Sequence, residues 1–217
     1  MNLRPPILVT GCQRSGLSMV AGALYQCGAF IGGTRTDPFR DAYENKQLYE
    51  ELVAPYLQMA GVPRDGSLPT SSGLLVPFWA ERVESILIEQ GLRPDSPWVV
   101  KGPHVALCWK QWATAYPAAR WVIVRRDPGD LARSCHLTGY MDSRTSEEGW
   151  RAWVDEWGRL LGDLELGVGY CRHVVEPYRF LGGDRAQLRG LVEASGLTWD
   201  EEKMNAFLPK NDKGNQP

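Results

Sequence analysis

Four short apolar runs punctuate the chain: Ile7–Val9, Trp98–Val100, Trp121–Val124 and His173–Val175. Each is mostly β-branched or aromatic and gives way at once to polar or glycine-containing residues. A strand wetted on one face alternates apolar with polar positions, whereas continuous runs suit a sheet buried on both faces. Helical patterns fill the intervals. One runs from Ser18 to Cys27 and stops at Gly28. Leu48, Leu52, Tyr56 and Met59 recur at helical spacing, with Pro55 expected to kink or split that stretch. Trp79, Val83, Ile86 and Leu87 mark a third helix, ended by Gly91. Behind Thr145 and Ser146, with Glu148 suited to a capping box, come Trp150, Trp153, Val154, Trp157, Leu160 and Leu161. That tryptophan stripe is expected to pack on the sheet rather than to line a ligand wall.

Strands alternating with helices predict an α/β fold: a single three-layer domain over residues 1–208, its mainly parallel sheet flanked by helices as in P-loop NTPases. Residues 209–217, "PKNDKGNQP", read as a loose tail. The stretch Val62–Pro77 is too rich in Pro, Gly and Ser for an element and reads as a long surface loop, a candidate lid. In parallel sheets ligands bind at the carboxyl ends of the strands, which directs attention to the residues after Val9, Val100 and Val124.

Composition narrows the partners. The 217 residues carry a formal charge of −2, so no global field draws the chain to nucleic acid or to anionic membranes. Apolar runs are too short to span a bilayer, and the N-terminus passes directly into a strand pattern with no room for a secretory leader. Five scattered cysteines without a C-x-x-C pair give neither a disulfide framework nor a zinc site, which suits a reducing, cytoplasmic setting.

"GCQRSGLS", residues 11–18, keeps the glycine spacing and the hydroxyl of a phosphate-binding loop but lacks its lysine: Leu17 stands there, and Arg14 brings a cation three positions earlier. Backbone N–H groups from Gln13 through Ser15, Gly16 and Leu17 to Ser18 are expected to converge on one anion, with the positive end of the next helix behind them. Without the lysine nothing evident reaches a γ-phosphate, and no aspartate ends an apolar strand to hold magnesium. Both facts disfavour the alternative of a P-loop small-molecule or nucleotide kinase. Further on, "RWVIVRRDPGDLARSCHLTGY" repeats the logic. A strand ends at Arg125 and Arg126, Asp127-Pro128 turns the chain, and Ser134 follows Arg126 by eight positions on a helix. A guanidinium and a hydroxyl so placed can grip one phosphate.

These two stretches together resemble the sulfotransferases that use 3′-phosphoadenylyl sulfate (PAPS). "GCQRSGLS" is similar to their 5′-phosphosulfate loop, and "RDPGDLARS" to their 3′-phosphate motif. "DAYENKQLYEELVAPYLQMAG" resembles the segment of bacterial members that carries an acidic residue before a helix. "WVVKGPH" is similar to their strand ending in a lysine, and "HVVEPYRF" to their last strand. The resemblance implies that Gly11 and the loop hold the phosphosulfate, and that Arg126 and Ser134 hold the 3′-phosphate of PAPS and of its product PAP. It also implies in-line transfer of the sulfuryl group to a hydroxyl or amine, without a metal. Arg14 and Lys101 would then neutralise the leaving phosphate.

The base is read first as Glu44, on local resemblance, and second as His104, on the resting pKa of imidazole. Departures from the family pattern are Leu17, where a threonine is usual, and Gly102-Pro103-His104 after the lysine. They keep open a protein that binds the nucleotide without transferring anything. The acceptor reads equally as a sugar, lipid, peptide or small metabolite, bordered by the loop at 62–77 and by "MDSRTSEEG".

Overall fold

The computed structural model describes residues 3–33, 43–138, 144–169 and 172–208. All four apolar runs are strands: β1 (Ile7–Gly11), β2 (Val99–Lys101), β3 (Arg120–Val124) and β4 (Arg172–Val175). They form one parallel sheet in the order β2-β1-β3-β4. Val9, Val122 and Val124 point into a core on one face, and Leu8 and Ile123 into a core on the other. Consecutive residues therefore all need apolar side chains, which is why the strand runs do not alternate.

The first face carries α1 (Leu17–Gln26), α10 (Ala186–Ala194) and α11 (Glu201–Phe207). The second carries α2 (Lys46–Leu48), α3 (Ala54–Met59), α4 (Trp79–Glu89), α5 (Pro103–Leu107), α6 (Trp109–Ala115), α7 (Pro128–Thr138) and α8 (Glu147–Val168). A short α9 (Pro177–Leu181) follows β4. Adjacent strands β1 and β3 thus send their helices, α1 and α7, to opposite faces. A crevice opens where such chains diverge, at the carboxyl ends of the strands.

Pro55 acts on its helix as expected, by a route the sequence did not show. The backbone widens into a π-helical turn over Tyr49–Val53 between α2 and α3. The carbonyl of Glu51, four residues before the proline and denied its N–H, accepts from Arg82 Nη2 of α4 at 3.1 Å. Trp150, Trp153 and Trp157 of α8 are fully buried, as core rather than ligand wall. The capping box is absent, because the cap is Ser146: its Oγ accepts from Gly149 N at 3.1 Å, so a glycine holds the position where Glu148 would be needed.

The stretch 62–77 has no regular element, yet it is tied down. Trp153 Nε1 donates to Gly66 O at 2.8 Å and Arg144 Nη2 to Ser67 O at 3.0 Å. Tyr56 Oη donates to Leu74 O at 2.8 Å, and Val76 N to Gln111 Oε1 at 2.7 Å. These bonds fasten the stretch to the rest of the protein at Gly66–Ser67 and again at Leu74–Val76, so that it forms a wall. The tail at 209–217, and residues 141–143 of the other expected border, lie outside the described residues.

Candidate active site

The loop after β1 is shaped by three close approaches. Gly11 ends the strand so near β3 that a Cβ would strike the Val124 carbonyl. Ser15 N donates to Cys12 O at 3.3 Å and closes a turn. Gly16 then caps α1 with φ of 101°, left-handed backbone in which a Cβ would also meet Pro177 Cγ at 2.7 Å. No side chain caps α1 and no acidic residue sits in its first turn, so its leading N–H groups stay available to an anion. Arg14 is exposed, also in left-handed backbone at φ 66°. Alternating hands at such a turn gather N–H groups into a concave, anion-accepting nest.

The remaining loop residues divide by role. Gln13 is buried and turns its amide away from the crevice: Nε2 donates to Asp65 O at 3.3 Å and so pins the wall at 62–77. Leu17 is buried in the core beneath α1, which leaves only its backbone N–H near the loop. Ser15 Oγ is buried without a hydrogen-bond partner among the described residues, and Ser18 is half-buried on the first turn of α1.

Arg126 and Ser134 lie beside this loop. Arg14 Nε contacts Ser134 Oγ at 3.4 Å, and Arg126 Nη1 donates to the Arg14 carbonyl at 3.2 Å. Residues about 120 positions apart in the chain meet because β3 is paired along the whole of β1, Gly11 opposite Val124. The neighbouring Arg125 is otherwise engaged: its Nε and Nη2 both donate to Glu165 Oε1 of α8, at 2.8 and 2.5 Å.

On the other side of β1, Lys101, Glu44 and His104 form a second cluster. Lys101 pairs in register with Val9, and Gly102 N donates to Val9 O at 3.0 Å. Thr10 makes the join rigid: its Oγ1 donates to Gly102 O at 2.9 Å and accepts from Ala106 N at 3.0 Å. The Lys101 ammonium, 4% exposed, meets Glu44 Oε1 at 2.7 Å. Glu44 retains 17% exposure. His104 is buried against the ring of Tyr49, with centroids 4.9 Å apart. Burial depresses its pKa to about 4; Glu44 opposes that shift and Lys101 adds to it.

The imidazole is therefore neutral in the folded chain, while in the unfolded chain it takes up a proton near pH 6.5. Stability from this group is complete above pH 6.5 and is lost as pH falls from 6.5 toward 4. That amounts to about 3 kcal/mol on the linkage scale. Urea midpoints followed over this window should fall more steeply for the native chain than for His104→Gln.

Among the described residues no group of three or more His, Cys, Asp and Glu could hold a metal ion. No helix among them is long and apolar enough to cross a membrane. Thr10, Tyr49 and Asn45 are part of the site's framework and were missed as such. A buried threonine and a half-buried tyrosine carry no sequence signal, but Asn45 just ahead of a helical pattern is a readable N-cap.

A glycine loop and an arginine–serine pair lie together at the switch point of the parallel sheet in this α/β domain. The family model described as "Sulfotransferase family" matches residues 5–201, and the chain belongs to that family. Two solved structures share the fold. Sulfotransferase STF1 from Mycobacterium tuberculosis H37Rv has a TM-score of 0.52 at 17% identity, over 99% of this chain and 74% of that one. The sulfotransferase domain of the Synechococcus PCC 7002 olefin synthase has a TM-score of 0.56 at 14% identity, over 100% and 82%. A curated relative, shikimate dehydrogenase (NADP(+)) from Nitrosomonas europaea, is 34% identical over 65 residues. That match covers 30% of this chain and only 22% of the dehydrogenase, too little to carry its activity across. Family and fold together support sulfuryl transfer as the general chemistry.

Proposed function

We propose that this chain moves a sulfuryl group from PAPS to a hydroxyl or amine acceptor by in-line displacement. The observation that supports this most is the meeting of Arg14, Ser134 and Arg126 in one crevice, with Nε–Oγ at 3.4 Å and Nη1–O at 3.2 Å. Two guanidinium groups at the ends of adjacent strands suit a nucleotide with phosphate at both its 5′ and 3′ positions. A mononucleotide with a single phosphate group would leave one of them unused. A kinase reading gains nothing from the strand ends, where Lys101 and the Arg125–Arg126 pair stand in place of an aspartate.

In this reading the N–H groups of residues 13–18 and Arg14 hold the 5′-phosphosulfate and stabilise charge growing on the departing oxygen. Arg126 and Ser134 hold the 3′-phosphate. Lys101, at the end of β2, is the second cation, and Glu44 takes the acceptor's proton. His104, neutral and buried, shapes the pocket. Titration of the apoprotein with PAP, ADP and AMP tests the reading. PAP should bind at least about 100-fold more tightly than AMP, on the energy of one or two charge-assisted hydrogen bonds. Equal affinities would overturn it.

A further inference from the structure

Gln90, the C-cap residue of α4, sits at the far end of a helix with no part in the anion loop. Its side-chain amide is nonetheless fully used. Nε2 donates to Gln47 Oε1 at 2.7 Å and to Asn45 Oδ1 at 3.3 Å, while Oε1 accepts from Asn45 Nδ2 at 2.6 Å and from Gly33 N at 3.3 Å. Two donors and two acceptors exhaust what a carboxamide offers. Asn45 is equally committed, donating to Ile31 O at 3.2 Å and accepting from Leu48 N at 3.1 Å as the N-cap of α2. The backbone makes room for the pair: Gly32 lies in left-handed geometry at φ 83°, and a Cβ there would run into both Gln90 Oε1 and Asn45 Nδ2.

Asn45 follows Glu44 directly in the chain, and its side chain has no freedom left. The position of Glu44 opposite Lys101 is therefore set from the end of α4, on both sides of residues 34–42, since Gln90 bonds Gly33 before them and Asn45 after them. A half-buried amide network with every partner in place rigidifies what it touches. We propose that Gln90 is a positioning residue for the reaction: through its reciprocal amide pair with Asn45 it holds the Glu44 carboxylate at the acceptor side of Lys101. This rests on the reading of Glu44 as the base.

Gln90→Glu and Gln90→Met test it. The first keeps the shape but sets a carboxylate against two oxygen acceptors, and the second keeps the length without polar atoms. Release of sulfate from PAPS with water as acceptor gives kcat and KM, beside the Kd of PAP and the melting temperature. The expected result is a kcat lower by roughly 10- to 100-fold in both variants, since an error of about 1 Å in a reacting group has that effect. KM and PAP affinity should stay close to native, while the melting temperature falls with the hydrogen bonds lost. Unchanged kcat in both variants, with Glu44→Gln impaired, overturns the proposal and leaves Glu44 as base. A parallel fall of PAP affinity and melting temperature also overturns it, in favour of a purely structural role. If Glu44→Gln itself hydrolyses PAPS at the native rate, the assignment of the base fails first, and the control identifies that failure.

Discussion

Arg126→Ala is expected to weaken PAP about 100-fold while leaving AMP almost unchanged, so that the protein loses its preference for a 3′-phosphorylated nucleotide. A guanidinium–phosphate pair contributes about 1.5–3 kcal/mol per hydrogen bond to a charged group, and Arg presents two donors in fixed geometry. Ser134→Ala removes one neutral donor and should have an effect nearer tenfold. The Arg126 side chain is only half-buried, and its contact within the protein is to the Arg14 carbonyl, so stability should hardly move. Arg125→Ala is the matched control. It removes both hydrogen bonds to Glu165 Oε1 on α8, which lowers stability without touching the ratio of PAP to AMP affinity. Isothermal titration at a fixed, stated ionic strength separates the two, because phosphate contacts weaken with added salt. A ratio that survives Arg126→Ala would move the 3′-phosphate to another part of the surface.

The sheet was legible because its strands are buried on both faces. Ile7–Val9 and Trp121–Val124 can be nothing else once their neighbours are glycine, proline and charge. The stripe on α8 was legible for the related reason that three tryptophans at helical spacing must go inside. The glycine loop and the arginine–serine pair were both visible as local patterns, yet their meeting was not. Arg14 and Ser134 are 120 positions apart, and only the pairing of β1 with β3 brings them together. The same limit hid the framework of the site. Gln13 looked like one more loop donor, but its side chain reaches Asp65, a partner that no spacing rule predicts. Leu17 looked like a lost hydroxyl; burial in the core beneath α1 shows its side chain to be a packing group. Pattern reports which face of an element is apolar, whereas the partners of a polar side chain depend on tertiary register.

Glu44→Gln should reduce turnover by roughly 10²- to 10⁴-fold with PAP binding retained, and His104→Gln should reduce it far less. The sequence puts Glu44 ahead of His104, and three features of the structure favour the same order. Imidazole has the better intrinsic pKa, but burial holds His104 near 4 and removes that advantage. Its ring is also closed off, with Tyr49 packed against it and only 6% of its surface exposed. Glu44 keeps 17% exposure and stands beside the Lys101 ammonium at the end of β2, where an acceptor and the departing oxygen would both be in reach. The substitution has a second effect that must be separated from the first. Lys101 is 4% exposed, so neutralising Glu44 takes the 2.7 Å ion pair away from a buried cation and should lower stability. The double variant Lys101→Met with Glu44→Gln removes that charge and should recover most of the stability. Turnover should not return with it, since neither a base nor the second cation is present. Recovery of turnover in the double variant, or a larger defect in His104→Gln than in Glu44→Gln, would transfer the proton to the imidazole after all.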